Sequence, residues 1–386
     1  MQKTGKLELT WVGKYDEKIV EPRILVEDKS KSYGDPASEN MLIHGDNLIA
    51  LQALQQDYAG KVKCIYIDPP YNTGSAFEHY DDGTEHSIWL SLMRQRLILL
   101  RNLLDEDGSI YVNIDFNECH YLKVLMDEVF GRACFQREII WRIGWLSGFK
   151  TAANNYIRNH DTILYYTKNP DGFYFNKENA YNTIKDFQER FNPQAKKEIM
   201  KRLTSLGVHN KEAKEFFDFI STVGLPERYP LEDTWNCSIY DKLNSIAVVS
   251  FSGEKVSKML GTDEFKGQKA EALIRRILSV STRPDDLVLD SFLGTGTTAA
   301  VAQKMKRRWI GIEIGNQAYD LAKPRLDKVV DGFDQSGITK LEGWRGGGGY
   351  HFYELAPSLL IKNDKLPVYQ VNPEYTFEIE AEEGET

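Results

Sequence analysis

Short apolar runs that end in acidic residues recur along the chain, and two of them predict strands of one sheet. Residues 65–67 are followed at once by Asp68 and two prolines, and residues 287–289 are followed by Asp290. Pro69 cannot extend a strand because it has no backbone N–H and its φ is fixed. We therefore expect both acidic side chains at the carboxyl edge of the sheet, where open α/β sheets bind ligands.

The second run begins a strand–loop–helix–strand unit. A helix rich in Ala and Thr is predicted over residues 297–305, and a second strand over residues 309–312. Gly294 and Gly296 lie in the loop before the helix, where the absence of a Cβ lets the backbone approach a ligand and permits a positive φ. This loop is therefore expected to contact a ligand closely.

The acidic residue that closes the second strand indicates what the ligand contains. Glu313 lies roughly 20 residues beyond Asp290, the offset at which an acid meets ribose hydroxyls in nucleotide-binding units. The loop lacks the third glycine of a dinucleotide fingerprint and the Gly-Lys-Ser/Thr of a phosphate loop, which disfavours NAD and ATP. A sulfonium cation tolerates acidic neighbours where a phosphate does not, so S-adenosylmethionine is the favoured cofactor.

The alternation of strands and helices is interrupted between the two halves of the predicted sheet. Residues 169–264 are polar and aromatic, and mostly helical in their second half. A glycine-rich stretch from residue 343 precedes a further predicted strand, whose role the sequence does not identify. The pattern predicts a doubly wound, mainly parallel α/β sheet with an inserted domain.

Composition restricts the protein class. With 386 residues and 41% hydrophobic content, the chain can bury a sizeable core. It has no apolar run long enough to span a membrane, and its start lacks the apolar core of a signal peptide, so we expect a cytoplasmic protein. The four cysteines are far apart, without zinc-type spacing, which predicts reduced structural thiols and no metal site.

The formal net charge of −9 is unevenly distributed. The last basic residue is Lys365, and every charged residue after it is a glutamate. The net charge of the rest of the chain is therefore much less negative than that of the whole. Basic runs occur at residues 196–202 and 304–308. Each run by itself is more typical of a solvated helix face than of a phosphate site.

Two stretches together identify a family. DPPYNTG, from Asp68, and DSFLGTGTTA, from Asp290, resemble the amino-methylating DNA methyltransferases, in the group whose catalytic motif precedes the cofactor motif. Further stretches match in the expected order: LIHGDNLIALQAL, WLSLMRQRLILLRNLLDEDGSIYVNID, NHDTILYYTK and FKGQKAEALIRRIL. The last has Ala270 where the family usually has proline. The resemblance is greatest to the modification subunit of type III restriction systems and its solitary relatives, which are usually longer.

The resemblance implies a class I S-adenosylmethionine-dependent methyltransferase fold and methylation of adenine N6 in duplex DNA. Asp68 and the Pro69 carbonyl would accept hydrogen bonds from the amine, and the Pro69–Pro70 corner would hold both acceptors rigidly. Tyr71 would stack on the target base, which must first leave the duplex. Cofactor contacts are implied for Asp46, Lys269, Asp290, Phe292, Gly294, Gly296, Thr297 and Glu313.

The resemblance also divides the chain. Residues 1–40 would be an N-terminal extension, 41–168 the catalytic half, 169–264 the target-recognition insert, 265–330 the cofactor half, and 331–386 a C-terminal segment with an acidic tail. Within the insert, phosphate contacts are expected from Lys196, Lys197, Lys201 and Arg202. Candidate partners besides DNA are a second copy of the chain and a separate restriction or helicase subunit. The separate subunit would supply DNA cleavage or translocation, because no nuclease or phosphate-loop motif is present.

Three alternatives stay open. Methylation of cytosine N4 uses the same amine chemistry, although Asp rather than Ser before Pro-Pro is more typical of the adenine enzymes. Methyltransferases that act on protein glutamine or on RNA usually carry Asn-Pro-Pro-Tyr after the cofactor motif, the opposite order. A non-catalytic DNA-binding subunit is disfavoured by the intact residues 68–71.

Overall fold

The computed structural model describes residues 7–16, 22–72, 85–142, 154–156, 158–183, 193–224, 227–235, 260, 268–362 and 369–372. The strands are β1 Leu25–Glu27, β2 Tyr33–Gly34, β3 Met41–His44, β4 Val62–Ile67, β5 Leu104–Ile114, β6 Phe135–Arg142, β7 His160–Thr167, β8 Tyr181–Thr183, β9 Arg228–Pro230, β10 Thr234–Trp235, β11 Leu287–Asp290, β12 Arg308–Glu313, β13 Gly349–Leu355, β14 Leu360–Lys362 and β15 Tyr369–Val371. The α-helices are α1 Asn47–Tyr58, α2 His86–Leu103, α3 Cys119–Phe130, α4 Pro193–Ser205, α5 Asn210–Thr222, α6 Glu271–Ser281, α7 Thr297–Lys304, α8 Lys323–Val330 and α9 Thr339–Glu342.

The main sheet has the strand order β1-β13-β3-β12-β11-β4-β5-β7-β6-β10, with β2 also paired to β13. All neighbours from β13 to β5 are parallel, and β7 is antiparallel between β5 and β6. The predicted mainly parallel α/β sheet is confirmed. The helix predicted over residues 297–305 and the strand predicted over residues 309–312 are observed as α7 and β12, each within one residue at either end.

Apolar side chains alternate between the two faces of the sheet. In β4, Ile65 and Ile67 belong to a core formed with α1, α2 and α3, whereas Cys64 and Tyr66 belong to a second core formed with α6, α7 and α8. Because both faces are covered by helices, β4 is buried along its whole length.

The order of the sheet reverses between β4 and β11. From β4 the chain passes through α2 to β5 on one side, and from β11 it passes through α7 to β12 on the other. Leu289 of β11 lies opposite Ile65 of β4 in parallel register, so the two carboxyl ends are adjacent. Such a switch point leaves a crevice at the carboxyl ends of the strands, where ligands bind in open α/β sheets.

Both flanking segments are built into the main sheet. β13, from the segment after residue 343, pairs in parallel with β3, and β1 pairs antiparallel with β13. Within residues 169–264, β8 pairs with β9, and β10 returns to pair with β6 at the far edge of the main sheet. The proposed domain boundaries stay a prediction. In the part of the chain described above, no helix combines the length and the apolar character needed to cross a membrane.

Candidate active site

The Asp68 carboxylate lies just beyond β4 and is bound on both oxygens. Its Oδ2 is 2.5 Å from Lys269 Nζ. Its Oδ1 accepts hydrogen bonds from the Tyr71 hydroxyl at 2.8 Å and from Asn113 Nδ2 at 3.2 Å. The structure therefore brings together Asp68 and Lys269, two predicted site residues about 200 positions apart in the chain.

Tyr71 is held by polar groups from distant parts of the chain. Its hydroxyl lies 2.9 Å from Lys269 Nζ and 3.3 Å from Asp161 Oδ2, and Lys269 Nζ also lies 5.1 Å from the centre of the Tyr71 ring. Burial, together with Asp68 and Asp161, raises the pKa of the Tyr71 hydroxyl well above its ordinary value. Tyr71 is thus a neutral hydrogen-bond donor in this site.

Asp161, in β7, is a further acid at the site. Burial raises the pKa of its carboxyl, and the positive charges of Lys269 and Arg158 oppose that increase. Arg158 also forms an ion pair with Asp161. The site therefore alternates acidic and basic side chains around Tyr71.

The backbone of the proline corner, Pro69–Pro70, is anchored from α2. Trp89 Nε1 donates to the Pro70 carbonyl at 2.9 Å, and the Trp89 side chain is buried in the core of that face. A proline pair followed by a bound carbonyl leaves little freedom for the chain between Asp68 and Tyr71. This rigidity is what a preorganised acceptor requires.

The loop after β11 is shaped by two carboxylates. Asp290 Oδ1 accepts from the Phe292 N–H at 2.9 Å, and its Oδ2 accepts from the Thr298 hydroxyl at 2.6 Å. Burial raises the pKa of Asp290 from 3.8 to about 7, and the nearby charges of Asp68 and Glu313 add to the effect. Phe292 itself is buried.

Glu313 holds the glycine loop as well as ending β12. Its Oε2 accepts from the Gly294 N–H at 2.8 Å, and its Oε1 accepts from the Gly315 N–H at 2.9 Å. Gly294 has φ +55°, and a Cβ there would meet no heavy atom of the described residues within 4 Å. Gly296 has φ +79°, and a Cβ there would lie 3.4 Å from Ala322. Open space therefore adjoins Gly294.

Asp46 lies at the neighbouring strand end, after β3. Its Oδ1 accepts from the Leu48 N–H at 2.7 Å, which caps α1, and lies 3.2 Å from Arg96 Nη2. The side chain is 41% exposed, so it remains accessible at the carboxyl edge.

A wholly buried charge network adjoins the glycine loop after β11. Glu271, two residues after Lys269, binds Lys304 Nζ at 2.8 Å and Arg325 Nη2 at 2.8 Å. Arg325 Nη1 also donates to Thr297 Oγ1 at 2.8 Å. The network thus joins the start of α6 to the start of α7. The expectation of a solvated face for the basic run at residues 304–308 is wrong for Lys304, whose side chain is 0% exposed because it completes this network.

The predicted phosphate contacts lie together on α4. The side chains of all four residues are exposed, and Lys196 Nζ lies 4.8 Å from the centre of the Phe217 ring of α5. The four residues are Lys196, Lys197, Lys201 and Arg202.

Residues 62–324 match the family model of the N6/N4 methyltransferases, described as DNA methylase. The chain belongs to the N6/N4 DNA methylase family. The family resemblance on motifs is thereby confirmed, and the match begins at the first residue of β4 and ends just after the start of α8.

Two relatives of this DNA methylase are similar over most of the chain. It is 34% identical to the "Probable type III restriction-modification enzyme HindVI Mod subunit" of Haemophilus influenzae, over 86% of this chain and 56% of that protein. It is 31% identical to the "Type II methyltransferase M.EcaI" of Enterobacter cloacae, over 80% of this chain and 75% of that protein. The chain spans little more than half the length of the type III subunit.

Among solved structures, the methylase resembles an M1.HpyAVI–SAM complex at 19% identity and a TM-score of 0.43, over 74% of this chain and 99% of that chain. It also resembles TTHA0409 from Thermus thermophilus, complexed with S-adenosyl-L-methionine, at 17% identity and a TM-score of 0.44. The latter alignment covers 81% of this chain and 99% of that chain.

Sequence reasoning missed two polar residues of the site. Asn113 lies near the end of β5, and Asp161 lies in the NHDTILYYTK stretch, which matched the family without pointing to any single residue. A polar residue at the end of an apolar run was the available signal for Asn113. No such signal marks Asp161, because β7 runs antiparallel to its neighbours and its first residues, not its last, reach this edge.

Proposed function

We propose that this DNA methylase transfers a methyl group from S-adenosylmethionine to the exocyclic N6 amine of adenine in duplex DNA, after the base has left the helix. The observation that carries the proposal is the position of Asp68. It lies at the switch point, beside the glycine loop of β11, with a rigid proline corner and an aromatic ring directly after it.

Asp68 suits the activation of a poor nucleophile. The lone pair of an aromatic amine is delocalised into the ring, and acceptors for its hydrogens favour the tetrahedral nitrogen that attacks a methyl carbon. In the structure Asp68 Oδ1 already accepts hydrogen bonds from Tyr71 and Asn113, and Oδ2 forms an ion pair with Lys269. Binding of the amine therefore requires that at least one of these partners be exchanged, and the Tyr71 hydroxyl moves away when its ring stacks on the base.

The residues around the glycine loop fit the proposed cofactor. The open space beside Gly294 leaves room for a ligand against the backbone, and the acids Asp46, Asp290 and Glu313 suit hydroxyl groups and a cation. In the proposal Asp46 and Glu313 hold the nucleoside, Lys269 and Asp290 face the methionine end, and Phe292, Gly296 and Thr297 maintain the loop. When bound, S-adenosylmethionine supplies the methyl group from its sulfonium.

The base and the sequence it lies in are tested together by transfer of a labelled methyl group. Incubation with tritiated S-adenosylmethionine and duplexes that contain a single candidate adenine or cytosine should label the adenine. Single-molecule sequencing of DNA from cells that produce the protein should then show N6-methyladenine at one sequence. Label on cytosine N4 would overturn the assignment of the base, and label on RNA or protein alone would overturn the assignment of the substrate.

We further propose that the enzyme acts in the cytoplasm on the host's own DNA and joins a separate restriction subunit. The similarity to a type III Mod subunit supports the second point. A second copy of the chain is the other proposed partner. Co-purification from the producing cells together with a nuclease or helicase chain would support the first partner, and light scattering of the isolated protein would test the second.

In this proposal residues 169–264 recognise the DNA sequence, and the basic side chains of α4 contribute affinity for DNA of any sequence. Charge reversal of Lys196, Lys197, Lys201 and Arg202 should weaken binding at all sequences alike. Because each phosphate contact contributes about 0.9 to the slope of log K against log salt, the slope should fall by roughly three to four. Fluorescence anisotropy over a salt series measures the slope.

A matched control reverses exposed lysines elsewhere. Lys61→Glu and Lys340→Glu, both exposed in the structure, should leave the slope close to that of the wild-type protein. An equal change of slope per reversed charge in the control pair would show that α4 contributes only general charge. Exchange of residues 169–264 with those of a relative should change the methylated sequence, and an active exchanged protein that keeps the original sequence would place recognition elsewhere.

Cofactor affinity should depend on pH through Asp290. Its pKa of about 7 is raised by burial, and a cation bound beside it would favour the ionised form and lower that pKa. Affinity should therefore be full above pH 7 and decrease below it, approaching about tenfold per pH unit. Calorimetry in buffers of different ionisation enthalpy should show proton release on binding. Asp290→Asn should remove both effects, and an unchanged pH dependence in that variant would exclude Asp290 as their source.

A further inference from the structure

One buried carboxylate contacts two residues that follow the Pro69–Pro70 corner in the chain, Asn72 and His86. Glu118, at the start of α3, is 0% exposed. Its Oε1 accepts from Asn72 Nδ2 at 2.6 Å and lies 2.7 Å from His86 Nδ1. Asn72 directly follows Tyr71, and His86 is the first residue of α2. Residues 73–85 connect them, and residues 73–84 of this connection lie outside the described residues.

The contact to Asn72 acts on the backbone that carries Tyr71. Asn72 has φ +57°, a left-handed conformation that non-glycine residues adopt rarely and asparagine more readily than most. Its side chain is fixed by Glu118, so the chain direction directly after Tyr71 is set. On the other flank, the Pro70 carbonyl is held by Trp89 of α2. Tyr71 therefore lies between two anchored neighbours.

Stability alone does not explain a carboxylate at this position. Burial raises the pKa of Glu118, and the contacts with Asn72 and His86 oppose that increase. Its Oε2 has no hydrogen-bond partner among the residues that the structure describes. A buried acid with incomplete pairing stabilises a fold less than an apolar side chain of similar size would. The residue type is therefore suited to holding Asn72 and His86 in place.

We propose that Glu118 is a positioning residue for methyl transfer, which orients Tyr71 toward the target base by fixing Asn72 on one side and the start of α2 on the other. This inference rests on the proposed function. Glu118 acts through its neighbours, since its contacts are to Asn72 and His86 and not to Asp68 or the glycine loop. Its loss should lower kcat and leave the affinity for S-adenosylmethionine unchanged.

Reversal of the hydrogen bond tests the contact itself. Asn72→Asp alone places two carboxylates against each other and should lower kcat at least tenfold. Adding Glu118→Gln should restore kcat to within about threefold of the wild-type rate, because the new amide donates to the new carboxylate. Glu118→Leu should lower kcat at least tenfold, and adding Asn72→Asp to it should not restore the rate, because leucine cannot form the hydrogen bond. Tritium transfer gives kcat, and calorimetry gives the cofactor affinity.

A matched control separates positioning from stability. Glu128 lies on the same helix, is largely buried and binds the Leu9 N–H and Lys14 Nζ, away from the site. Glu128→Leu should lower the midpoint of thermal unfolding and leave kcat unchanged. If the reversed pair is as inactive as Asn72→Asp alone, or if Glu118→Leu transfers methyl at the wild-type rate, Glu118 is not a positioning residue.

The failure of this inference is distinguishable from failure of the proposed function. Asp68→Ala is measured beside the Glu118 variants. Normal transfer by Asp68→Ala would exclude Asp68 from the mechanism, and a wild-type protein that labels no adenine would overturn the proposed function. An inactive Asp68→Ala together with fully active Glu118 variants would overturn only the inference. Should Glu118→Leu not fold, the reversed pair decides, because it keeps two polar side chains of the original size.

Discussion

Asp68→Ala is expected to bind S-adenosylmethionine within a few-fold of the wild-type protein and to transfer methyl about a hundred- to thousandfold more slowly. Removal of one preorganised hydrogen-bonding group typically has an effect of this size on the chemical step. Hydrogen bonds that involve a charged group contribute about 1.5–3 kcal/mol each, or roughly ten- to 150-fold in rate, so the loss of one such bond reaches the lower end of that range. The cofactor affinity is spared because Asp68 is proposed to contact the amine.

The substitution also affects Lys269, which is proposed to contact the cofactor. Lys269 loses its ion pair in Asp68→Ala, although its Nζ also lies 2.9 Å from the Tyr71 hydroxyl in the wild-type structure. Asp68→Asn keeps an acceptor oxygen for Tyr71 and should retain more activity than Asp68→Ala. Single-turnover transfer of tritium measures the chemical step, and calorimetry measures the cofactor affinity.

A lysine–carboxylate pair away from the site provides the control. Asp107 pairs with Lys63 at the opposite edge of the sheet, so Asp107→Ala removes a comparable ion pair. It should leave methyl transfer near the wild-type rate. Transfer by Asp68→Ala at the rate of Asp107→Ala would exclude Asp68 from the mechanism.

The residues found from the sequence are those whose signal is local. A strand that ends in an acid followed by prolines places Asp68, and a strand, a glycine loop and a helix place Asp290 and Gly294. Each of these signals lies within a few consecutive residues, and parallel strands bring their ends to one edge. Their meeting in the structure follows from the sheet order, which places β4 beside β11.

The residues that were missed depend on contacts between distant parts of the chain. Asp161 reaches the site only because β7 is inserted antiparallel between β5 and β6, and strand order and direction are not written in any short pattern. Glu118 begins a helix and carries no motif of its own. Its role follows from the hydrogen bonds to Asn72 and His86, which no spacing rule predicts.

The glycine run that leads into β13 also acts through contacts with distant parts of the chain, which its sequence does not show. The sequence predicts a strand after these glycines but does not identify its role. In the structure a Cβ at Gly348 would lie 2.5 Å from Gln303 Nε2, and a Cβ at Gly349 would lie 2.4 Å from the Asp35 nitrogen. These glycines allow β13 to pack closely against residues that are far away in the chain, and β13 extends the sheet beside β3.

Gly294→Val is expected to weaken S-adenosylmethionine binding at least about a hundredfold and to abolish methyl transfer at ordinary cofactor concentrations. The added side chain projects into the open space beside the loop, where the proposed cofactor lies. A β-branched residue at φ +55° also strains the backbone by roughly 1–2 kcal/mol. The Gly294 N–H is bound to Glu313, so relaxation of that strain would displace the loop further.

Gly60→Val separates strain from obstruction. Gly60 has φ +72° and, like Gly294, no heavy atom of the described residues within 4 Å of a Cβ, but it lies just after α1 and away from the carboxyl edge. Both variants should lose similar stability in thermal unfolding, because both place valine in the left-handed region. Only Gly294→Val should lose cofactor binding in calorimetry. If the two variants bind the cofactor equally well, the space beside Gly294 is not the cofactor site, and the assignment of β11 and its loop to S-adenosylmethionine is wrong.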